Sequence, residues 1–261
     1  MAAWLNQVAL VTGGARGIGR ATALLVAKRD AAVCVNYTAH ADAAEELVAE
    51  IIAAGGRAIA AAADVADAAA VEAMVARVEK ELGSVTILVN NAGVAWRGTI
   101  DTYDAAQVAR MRQVNVEGVI HSTRAVMRGM RERRYGRIVN VSSVAAIGTA
   151  RPGNAFYSAT KAEVAILTKR FAMELGPHAI TVNAVAPGFV HTDLNQSGRS
   201  AADWQATAQR FAAGAMMGRI GEPEDIANAI AFLASPESGW ITAQIQMLTI
   251  DGGRMDYIGH G

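Results

Sequence analysis

Short runs of β-branched and apolar residues alternate with alanine-rich helical patterns along almost the whole chain. The candidate strands cover residues 7–11, 32–35, 58–62, 87–89, 137–141, 181–185 and 244–250. The helical patterns between them cover residues 18–29, 42–54, 68–82, 105–133, 157–175 and 224–233. Strands separated by helices of this length form βαβ units, in which helices cover both faces of a parallel sheet. The sequence therefore predicts an α/β protein with a doubly wound, seven-stranded parallel sheet.

One long connection, 189–221, interrupts this alternation. It contains a polar turn over 191–200 and a helical pattern around 204–211. A connection of this length inside a compact α/β domain is commonly functional. No proline- or serine-rich linker divides the rest of the chain. We therefore expect residues 1–261 to form a single domain, with the connection at about 189–221 acting as a lid over a binding site.

The charge and cysteine content argue against several classes of protein. Lysine and arginine equal aspartate and glutamate at 24 each, so no overall field attracts nucleic acid or anionic lipid, and neither is expected as a partner. The histidines show no metal-ligand spacing and a single cysteine cannot form a cluster, so no catalytic metal is expected. The single cysteine, Cys34, lies in an apolar run, which is typical of a buried thiol in a reducing compartment.

The chain enters its first strand without the basic start, apolar core and cleavage signal of a secretory peptide. No apolar run approaches the roughly 20 residues that span a bilayer. These features predict a cytoplasmic protein with no membrane partner. The hydrophobic fraction of 52% is high for a soluble monomer with only 18% charged residues, and it predicts contacts between subunits.

A glycine-rich turn over residues 12–19 follows the first strand and opens the first helix. Gly13, Gly17 and Gly19 have the spacing G-x-x-x-G-x-G. At such a junction the backbone N–H groups and the helix dipole can hold a pyrophosphate. A tight strand-to-helix connection without a ligand is the alternative interpretation.

The end of the second strand indicates which dinucleotide would bind. In dinucleotide-binding folds an acidic side chain there selects NAD, whereas a basic one accepts the extra phosphate of NADP. Asn36, Tyr37 and Thr38 occupy this end, with no carboxylate, and Arg16 rises from the glycine turn. NADP(H) is therefore favoured and use of NAD(H) stays open. The alternative for Arg16 is an exposed residue at the start of a helix.

Tyr157 and Lys161 are four residues apart, which places them on one face of a helix. A neighbouring ammonium favours the ionised form of a phenol, whose pKa is otherwise about 10. The spacing therefore predicts a tyrosine that can give or take a proton. Ser143 lies upstream at the end of a predicted strand.

A basic cluster at the end of a long helical pattern is interpreted as a solvated face, because cations at a helix C-terminus complement its dipole. An RNA or acidic-partner site is the alternative. The cluster consists of Arg128, Arg131, Arg133, Arg134 and Arg137.

In combination, these motifs resemble the short-chain dehydrogenase/reductase family over nearly the whole chain. They are the glycine turn, Asn90-Asn91-Ala92-Gly93, the pair Tyr157 and Lys161, and Pro187-Gly188. The resemblance implies a Rossmann fold and makes Tyr157 the general acid or base. It further implies that Lys161 keeps Tyr157 acidic and binds the nicotinamide ribose. Relatives similar in these motifs include ketoacyl-carrier-protein reductases, glucose dehydrogenases and broad ketone reductases.

The resemblance also implies that Ser143 donates to the substrate oxygen and that Asn115 anchors a water leading to Lys161. Ser142 is the alternative serine, but alternation along the strand points it to the other face. A polar residue in a subunit-facing helix is the alternative for Asn115. The family serine and tyrosine are usually one residue closer, which we attribute to an insertion between Ala146 and Asn154.

The cofactor contacts predicted from the turn, the second strand and the resemblance form one set. They are Gly13, Ala15, Arg16, Gly17, Ile18, Gly19, Asn36, Tyr37, Thr38, Asp64, Val65, Asn91, Ala92, Gly93, Tyr157, Lys161, Pro187, Gly188, Val190 and Thr192. For Asp64 the alternative is an N-cap of the next helix. Two positions depart from the usual family glycine, namely Asp30 in a turn and Ala243, and a tail over 254–261 extends past the common ending.

The expected function is NADP(H)-dependent hydride transfer between nicotinamide and a carbonyl or secondary alcohol, with ketone reduction favoured. A sugar or diol dehydrogenase and a non-catalytic NADP-binding regulator are the alternatives. The family further implies a homotetramer built on the helices that contain Asn115 and Tyr157. Core or lid packing is the default for each of six apolar side chains, which together suggest an apolar substrate pocket. They are Trp96, Phe156, Phe189, Trp204, Met216 and Met217.

Overall fold

The computed structural model describes residues 4–148, 152–244 and 249–254. Within them, parallel strands form one seven-stranded sheet of order β3-β2-β1-β4-β5-β6-β7. The strands are β1 Val8–Val11, β2 Ala32–Tyr37, β3 Ala58–Ala62, β4 Ile87–Asn90, β5 Gly136–Val141, β6 Ile180–Pro187 and β7 Thr249–Ile250. The predicted doubly wound Rossmann-type sheet is confirmed. Residues 245–248 of the predicted last strand, the tail from 255 and residues 149–151 of the predicted insertion lie outside the described residues.

Helices connect the strands in the predicted order. They are α1 Gly17–Ala27, α2 Ala41–Ala53, α3 Ala68–Glu81, α4 Ala105–Arg112, α5 Gly118–Arg133, α6 Ala155–Leu175, α7 Asp193–Gln196, α8 Ala201–Ala213 and α9 Pro223–Ala234. Single 3₁₀ turns follow at Val144–Ala146, Gly176–His178 and Pro236–Ser238. None of the described helices is long and apolar enough to cross a membrane.

The two faces of the sheet bury two separate apolar cores. Successive side chains of a strand point to opposite faces. Val11 therefore packs in the core formed with α1, α2 and α9, while its neighbour Leu10 packs in the core formed with α3, α5 and α6. Both faces exclude water, which explains why the strands are almost continuously apolar. Cys34 lies in the second core, and burial raises the pKa of its thiol to about 12, as expected for a buried thiol without a reactive role.

The order of the strands reverses between β1 and β4. From β1 the chain proceeds to β2 and β3 on one side, and from β4 to β5, β6 and β7 on the other. In open α/β sheets a crevice forms outside the carboxyl ends of the strands at this point, and ligands bind there. The glycine-rich turn after β1 and the Asn91 loop after β4 both leave the sheet at this crevice.

The long helical pattern over 105–133 is not one regular helix. A π-helical turn, Gln113–Glu117, separates α4 from α5 and carries Asn115 at its centre. Such turns insert an extra residue per turn and are frequent at functional sites. Periodicity alone could not locate it, because a single wide turn hardly disturbs the apolar spacing on either side.

Arg137 corrects the interpretation of the basic cluster as a solvated face. It is 5% exposed and donates to the carbonyl oxygens of Ser235 and Pro236. Its guanidinium lies 4.5 Å from the ring centre of Tyr135, and burial lowers the pKa of Arg137. This side chain belongs to β5, whose end is covered by the turn after α9, rather than to the exposed end of α5.

Two residues at positions of usual family glycines do adopt the left-handed backbone region. Asp30 has a φ of 72° and Ala243 a φ of 61°. Aspartate tolerates this backbone region better than most residues other than glycine. Alanine lacks such a side chain, and Ala243 therefore carries a small local strain.

Candidate active site

A cavity of about 940 Å³ opens at the crevice where the strand order reverses. Its volume lies at the upper end of the range for small-molecule and cofactor sites. One end is lined by residues at the end of β2 and after β3, including Tyr37 and Asp64. The other end is lined by residues after β5 and β6 and by α6, including Ser143 and Tyr157. The cavity therefore joins the predicted cofactor turn to the predicted catalytic residues.

The glycine-rich turn is tied to the loop after β4. Thr12 Oγ1 accepts hydrogen bonds from the backbone N–H groups of Asn91 at 3.0 Å and Ala92 at 3.1 Å. Gly13 has a φ of 60°, and a Cβ there would lie 3.0 Å from the Cα of Ala92. Only glycine at this position lets the two loops approach so closely, and both loops line the cavity there.

The start of α1 faces the cavity. Gly13, Ala15, Arg16, Gly17 and Ile18 all line it, as predicted. The first N–H groups of a helix lack intrahelical acceptors and, with the helix dipole, attract anions. The turn can therefore hold a diphosphate on its backbone amides.

Gly19 and Asn36 do not line the cavity, so their predicted direct contacts with a cofactor are not supported. A Cβ on Gly19 would lie 2.4 Å from the carbonyl oxygen of Gly13, so this glycine is required for packing behind the turn. Asn36 is 1% exposed and accepts from the N–H of Gly13 at 3.2 Å. Its amide also donates to Ala61 and Ala63. Asn36 therefore shapes the glycine turn from beneath.

The next residues of β2 and its loop do face the cavity. Tyr37 and Thr38 line it at the end where an adenosine ribose would lie. Arg16 forms an ion pair at 3.0 Å with Asp193, at the start of α7. Both side chains of this pair are about half exposed, so the pair is weak and its arginine can exchange partners.

Asp64 lines the cavity and does not cap a helix. Asp67 caps α3 instead, accepting from the N–H groups of Ala69 and Ala70. Asp64 is paired with Arg110 at 2.7 Å. Partial burial acts to raise the pKa of Asp64, but hydrogen bonds from the Ala66 N–H and Arg110 outweigh it and lower the pKa. The N-cap alternative for Asp64 is therefore wrong.

Ser142 and Ser143 both line the cavity, but their hydroxyl groups make different hydrogen bonds. The Ser142 hydroxyl donates to the backbone oxygen of Lys161 at 2.8 Å and so fastens β5 to α6. Ser143 Oγ accepts from the N–H of Ala145 at 3.1 Å at the start of a 3₁₀ turn. Because Ser143 accepts this bond, its hydroxyl hydrogen can donate to a ligand in the cavity.

Tyr157 and Lys161 lie one helical turn apart on α6, and both line the cavity. Lys161 Nζ lies 5.9 Å from the ring centre of Tyr157 and donates to the carbonyl oxygen of Val141 at 2.8 Å. Burial lowers the pKa of Lys161 to about 8. The ammonium is therefore still mostly charged at pH 7, close to the phenol and shielded from water.

Asn115 lies behind the cavity wall. Its amide accepts from the Val94 N–H at 2.8 Å and donates to the Val94 carbonyl at 2.9 Å and to Thr160 Oγ1 at 3.1 Å. A Cβ on Gly93 would lie 3.3 Å from Asn115 Oδ1 and 3.5 Å from Lys161 Nζ. The side chains of Asn115 and Lys161 therefore both lie close to Gly93. The amide of Asn115 is hydrogen-bonded to the backbone of Val94.

The remaining predicted cofactor residues line the cavity. They are Val65, Asn91, Ala92, Gly93, Pro187, Gly188, Val190 and Thr192. The described residues contain no group of three or more histidine, cysteine, aspartate or glutamate side chains that could hold a metal ion.

Of the six side chains from which an apolar pocket is expected, Phe189 alone lines the cavity within the described residues. Core or lid packing, the default for each of the six, describes Trp204. The ring of Trp204 does not line the cavity but stacks on that of Phe189, with 5.6 Å between the ring centres. Met216 and Met217 are exposed. The ring that completes the wall is Phe211 of α8, parallel to Phe189 at 4.0 Å.

Several cavity residues were not predicted at all. Arg97, Asn154, Arg210 and Phe211 line the cavity near its catalytic end. Phe211 and Arg210 fall in the helical pattern that we assigned to a lid, but the pattern does not show which face turns inward. Arg97 follows the Asn91 loop without any motif of its own.

Comparison with known proteins places this geometry in context. A family model described as short chain dehydrogenase matches residues 7–203. A 3-oxoacyl-[acyl-carrier-protein] reductase of Synechocystis sp. is 40% identical over 97% of this chain and 98% of its own length.

Solved structures agree with the match. A short-chain dehydrogenase/reductase of Serratia marcescens is 38% identical, with a TM-score of 0.88 over 96% of this chain and 98% of that chain. A short-chain dehydrogenase of Burkholderia cenocepacia, in complex with NADP, is also 38% identical, with a TM-score of 0.86 over the same shares.

Proposed function

The chain belongs to the short-chain dehydrogenase/reductase family and is an oxidoreductase, and from this premise we propose that it reduces a ketone to a secondary alcohol with NADPH. One observation supports the proposal above all others. Ser143, Tyr157 and Lys161 line the same cavity as the glycine turn at the start of α1. A proton-transfer device and a diphosphate site in one cavity are what carbonyl reduction by a nucleotide requires.

NADP(H) is the proposed cofactor, with NAD(H) use left open. Tyr37 and Thr38 line the ribose end of the cavity, and neither brings a carboxylate that would repel a phosphate. Arg16 stands at the opening of α1, where it forms a weak ion pair with Asp193. The Burkholderia cenocepacia relative is complexed with NADP. We propose that Arg16 exchanges Asp193 for the extra phosphate.

The proposed mechanism assigns one task to each side chain. Bound NADPH would supply the hydride for the carbonyl carbon. Tyr157 gives its phenolic proton to the carbonyl oxygen, and Ser143 donates a hydrogen bond that holds this oxygen. Lys161, still mostly protonated at pH 7, favours the phenolate that remains on Tyr157. Asn115 is a positioning residue, because its bonds to Val94 and Thr160 hold the wall beside Lys161.

Acyl thioesters with a ketone are the first substrates to examine. The Synechocystis relative is named as a 3-oxoacyl-[acyl-carrier-protein] reductase. The catalytic end of the cavity offers the stacked pair Phe189 and Phe211 for an apolar chain or ring. Sugar oxidation has some support from a gluconate 5-dehydrogenase of Burkholderia cenocepacia, which is 34% identical with a TM-score of 0.86. The intact set of Ser143, Tyr157 and Lys161 argues against a regulator without activity.

We also propose that residues 1–261 form one domain with a substrate lid at about 189–221. In this segment α7 pairs with the glycine turn through Asp193, and α8 packs on Phe189 through Trp204 and Phe211. The far end of the segment is tied to the residues after β7, because the N–H groups of Met216 and Met217 donate to the carbonyl oxygens of Gly253 and Gly252. Opening is therefore proposed for α7 and α8.

A homotetramer in the cytoplasm completes the proposal. Ile166 and Met173 on α6 are 60% and 64% exposed, and apolar side chains on one helix suit contact with another subunit. The buried Cys34 thiol is compatible with a reducing compartment. Light scattering during size-exclusion chromatography measures the subunit number, and a monomer would contradict the tetramer.

The experiment that tests the function is NADPH oxidation over ketones, ketoesters, acetoacetyl thioesters and quinones, with NADP-linked oxidation of sugars and diols in parallel. Tyr157→Phe removes the hydroxyl in the cavity, and Tyr135→Phe removes one outside it as a matched control. Loss of the general acid is expected to lower kcat by about 10²- to 10⁴-fold. Tight NADPH binding without turnover of any substrate would favour the regulator instead.

A further inference from the structure

Two arginines enter the catalytic end of the cavity. A Cβ on Gly153 would lie 3.6 Å from the Cβ of Arg97, so Arg97 sits beside the loop that leads into α6 and Tyr157. The Arg210 guanidinium lies 5.3 Å from the ring centre of Phe211, whose ring stacks on that of Phe189. Arg97 and Arg210 are therefore neighbours of residues at the catalytic end of the cavity.

The charges that line the cavity do not balance at this end. Its carboxylates, Asp64 and Asp193, are paired with Arg110 and Arg16 on the nucleotide side. Across residues 4–148, 152–244 and 249–254, no carboxylate lies within ion-pair distance of Arg97 or of Arg210. Two positive charges thus face the substrate space without an anionic partner from the described chain.

A neighbouring cation adds to this imbalance. Partial burial, followed by the proximity of Arg199, lowers the pKa of Arg97. Arg199 lies in the connection after α7 and donates to the backbone oxygen of Asn195 within α7. An anion in the cavity would offset both the lost hydration and the repulsion between the guanidinium groups.

We propose that the substrate is a ketone that also carries an anionic group, carboxylate or phosphate, and that Arg97 and Arg210 bind this group. The inference rests on the proposed ketone reduction and narrows its substrate class. The guanidinium groups hold the anion while the apolar part of the substrate contacts Phe189 and Phe211. Both arginines are specificity-determining residues and take no part in proton transfer.

Matched pairs of substrates test the charge. Benzoylpropionate is compared with its methyl ester, and levulinate with methyl levulinate, because each pair keeps the ketone and removes the charge at the cost of one methyl group. The acetoacetyl thioester of coenzyme A is compared with that of N-acetylcysteamine, which lacks the phosphates and also the adenosine, so a difference in this pair supports the inference only where Arg97→Gln or Arg210→Gln removes it. The first two pairs test whether a carboxylate on the substrate is recognised. The last pair tests whether a phosphate on the carrier of the acyl group is recognised.

The wild-type protein is expected to prefer the charged member of at least one pair by about 10- to 100-fold in kcat/KM, the range for a hydrogen bond to a charged group. Arg97→Gln and Arg210→Gln should each lower this preference about tenfold or more, mainly through KM. Arg97→Lys should keep part of it. Arg128→Gln, which removes an exposed arginine on α5, is the control and should change nothing.

Binding provides a readout that does not need turnover. In Tyr157→Phe saturated with NADPH, benzoylpropionate and coenzyme A thioester are added and the rise in Tm is measured. Arg97→Gln in that background should abolish the rise caused by the charged ligand that the wild type prefers, with NADPH affinity unchanged.

The outcomes separate the inference from the proposed function. Equal use of charged and neutral ketones overturns the anionic substrate but leaves ketone reduction intact. If Arg97→Gln weakens NADPH binding as much as it weakens binding of the anionic ketone, the inference is also overturned, because Arg97 would then contact the cofactor. Failure to reduce any ketone overturns the proposed function, and the Tm measurement then decides whether an anion still binds at Arg97.

Discussion

Replacing Lys161 by methionine tests the burial of the charge on which proton transfer depends. In the folded chain, burial lowers the pKa of Lys161 to about 8 from an ordinary value of 10.5. Between these values the unfolded chain holds a proton that the folded chain has lost, so the free energy of unfolding rises with pH. Below pH 8 both states are protonated, and the buried ammonium costs about 3.4 kcal/mol at about 1.36 kcal/mol per pH unit.

The magnitude follows from these two titrations. Relative to Lys161→Met, the free energy of unfolding of the wild type should rise by about 2.5 kcal/mol between pH 7 and pH 10. Burial raises the pKa of Cys34 to about 12, which destabilises the fold above about pH 9. Both proteins share Cys34, so this effect cancels in the difference.

The assay is urea unfolding at several pH values without nucleotide, at one protein concentration because association of subunits also affects stability. Lys161→Met should be inactive at every pH. Its free energy of unfolding should lack the rise between pH 7 and pH 10 that Lys161 causes in the wild type. A difference between the two proteins that stays constant from pH 7 to pH 10 would refute the burial of the ammonium.

Three further substitutions test other parts of the account. Asn36→Ala should lower the free energy of unfolding by about 1–3 kcal/mol and weaken NADPH binding, because the Gly13 N–H loses its acceptor; unchanged fluorescence titrations with NADPH would contradict this. Thr38→Asp should shift the ratio of kcat/KM values from NADPH towards NADH by about tenfold or more, through repulsion of the extra phosphate; an unchanged ratio would place that phosphate elsewhere. Arg137→Met should cost about 1–3 kcal/mol in urea unfolding, whereas Arg128→Met should stay within about 0.5 kcal/mol; equal losses would contradict the structural role of Arg137.

The sequence predicted the sheet, and it singled out Ser143, Tyr157 and Lys161, which line one cavity, because each leaves a local signature. Strands with both faces buried are almost continuously apolar, and the spacing of Tyr157 and Lys161 is a property of one helix. Gly13 and Gly17 lie in the turn where their backbone conformation is required. The two serines were separated by strand alternation alone.

The remaining errors concern side-chain direction, which sequence does not record. Asn36 lies near the end of β2 and Thr38 directly follows it, yet one is buried beneath the glycine turn and the other lines the cavity. Arg137 belongs to a run of arginines but is the one that enters the end of the sheet. Arg97 comes from a loop without regular periodicity, so only the structure brings it to the catalytic end.

The central claim is that Ser143 and Tyr157 act on one substrate oxygen beside a nucleotide held by the glycine turn. A crystal structure with NADP and benzoylpropionate measures this directly. We predict that Ser143 Oγ and Tyr157 Oη both lie about 2.6–3.2 Å from the ketone oxygen, with the diphosphate on the first amides of α1. A ketone oxygen beyond reach of either hydroxyl, or a nucleotide bound outside this cavity, would contradict the account.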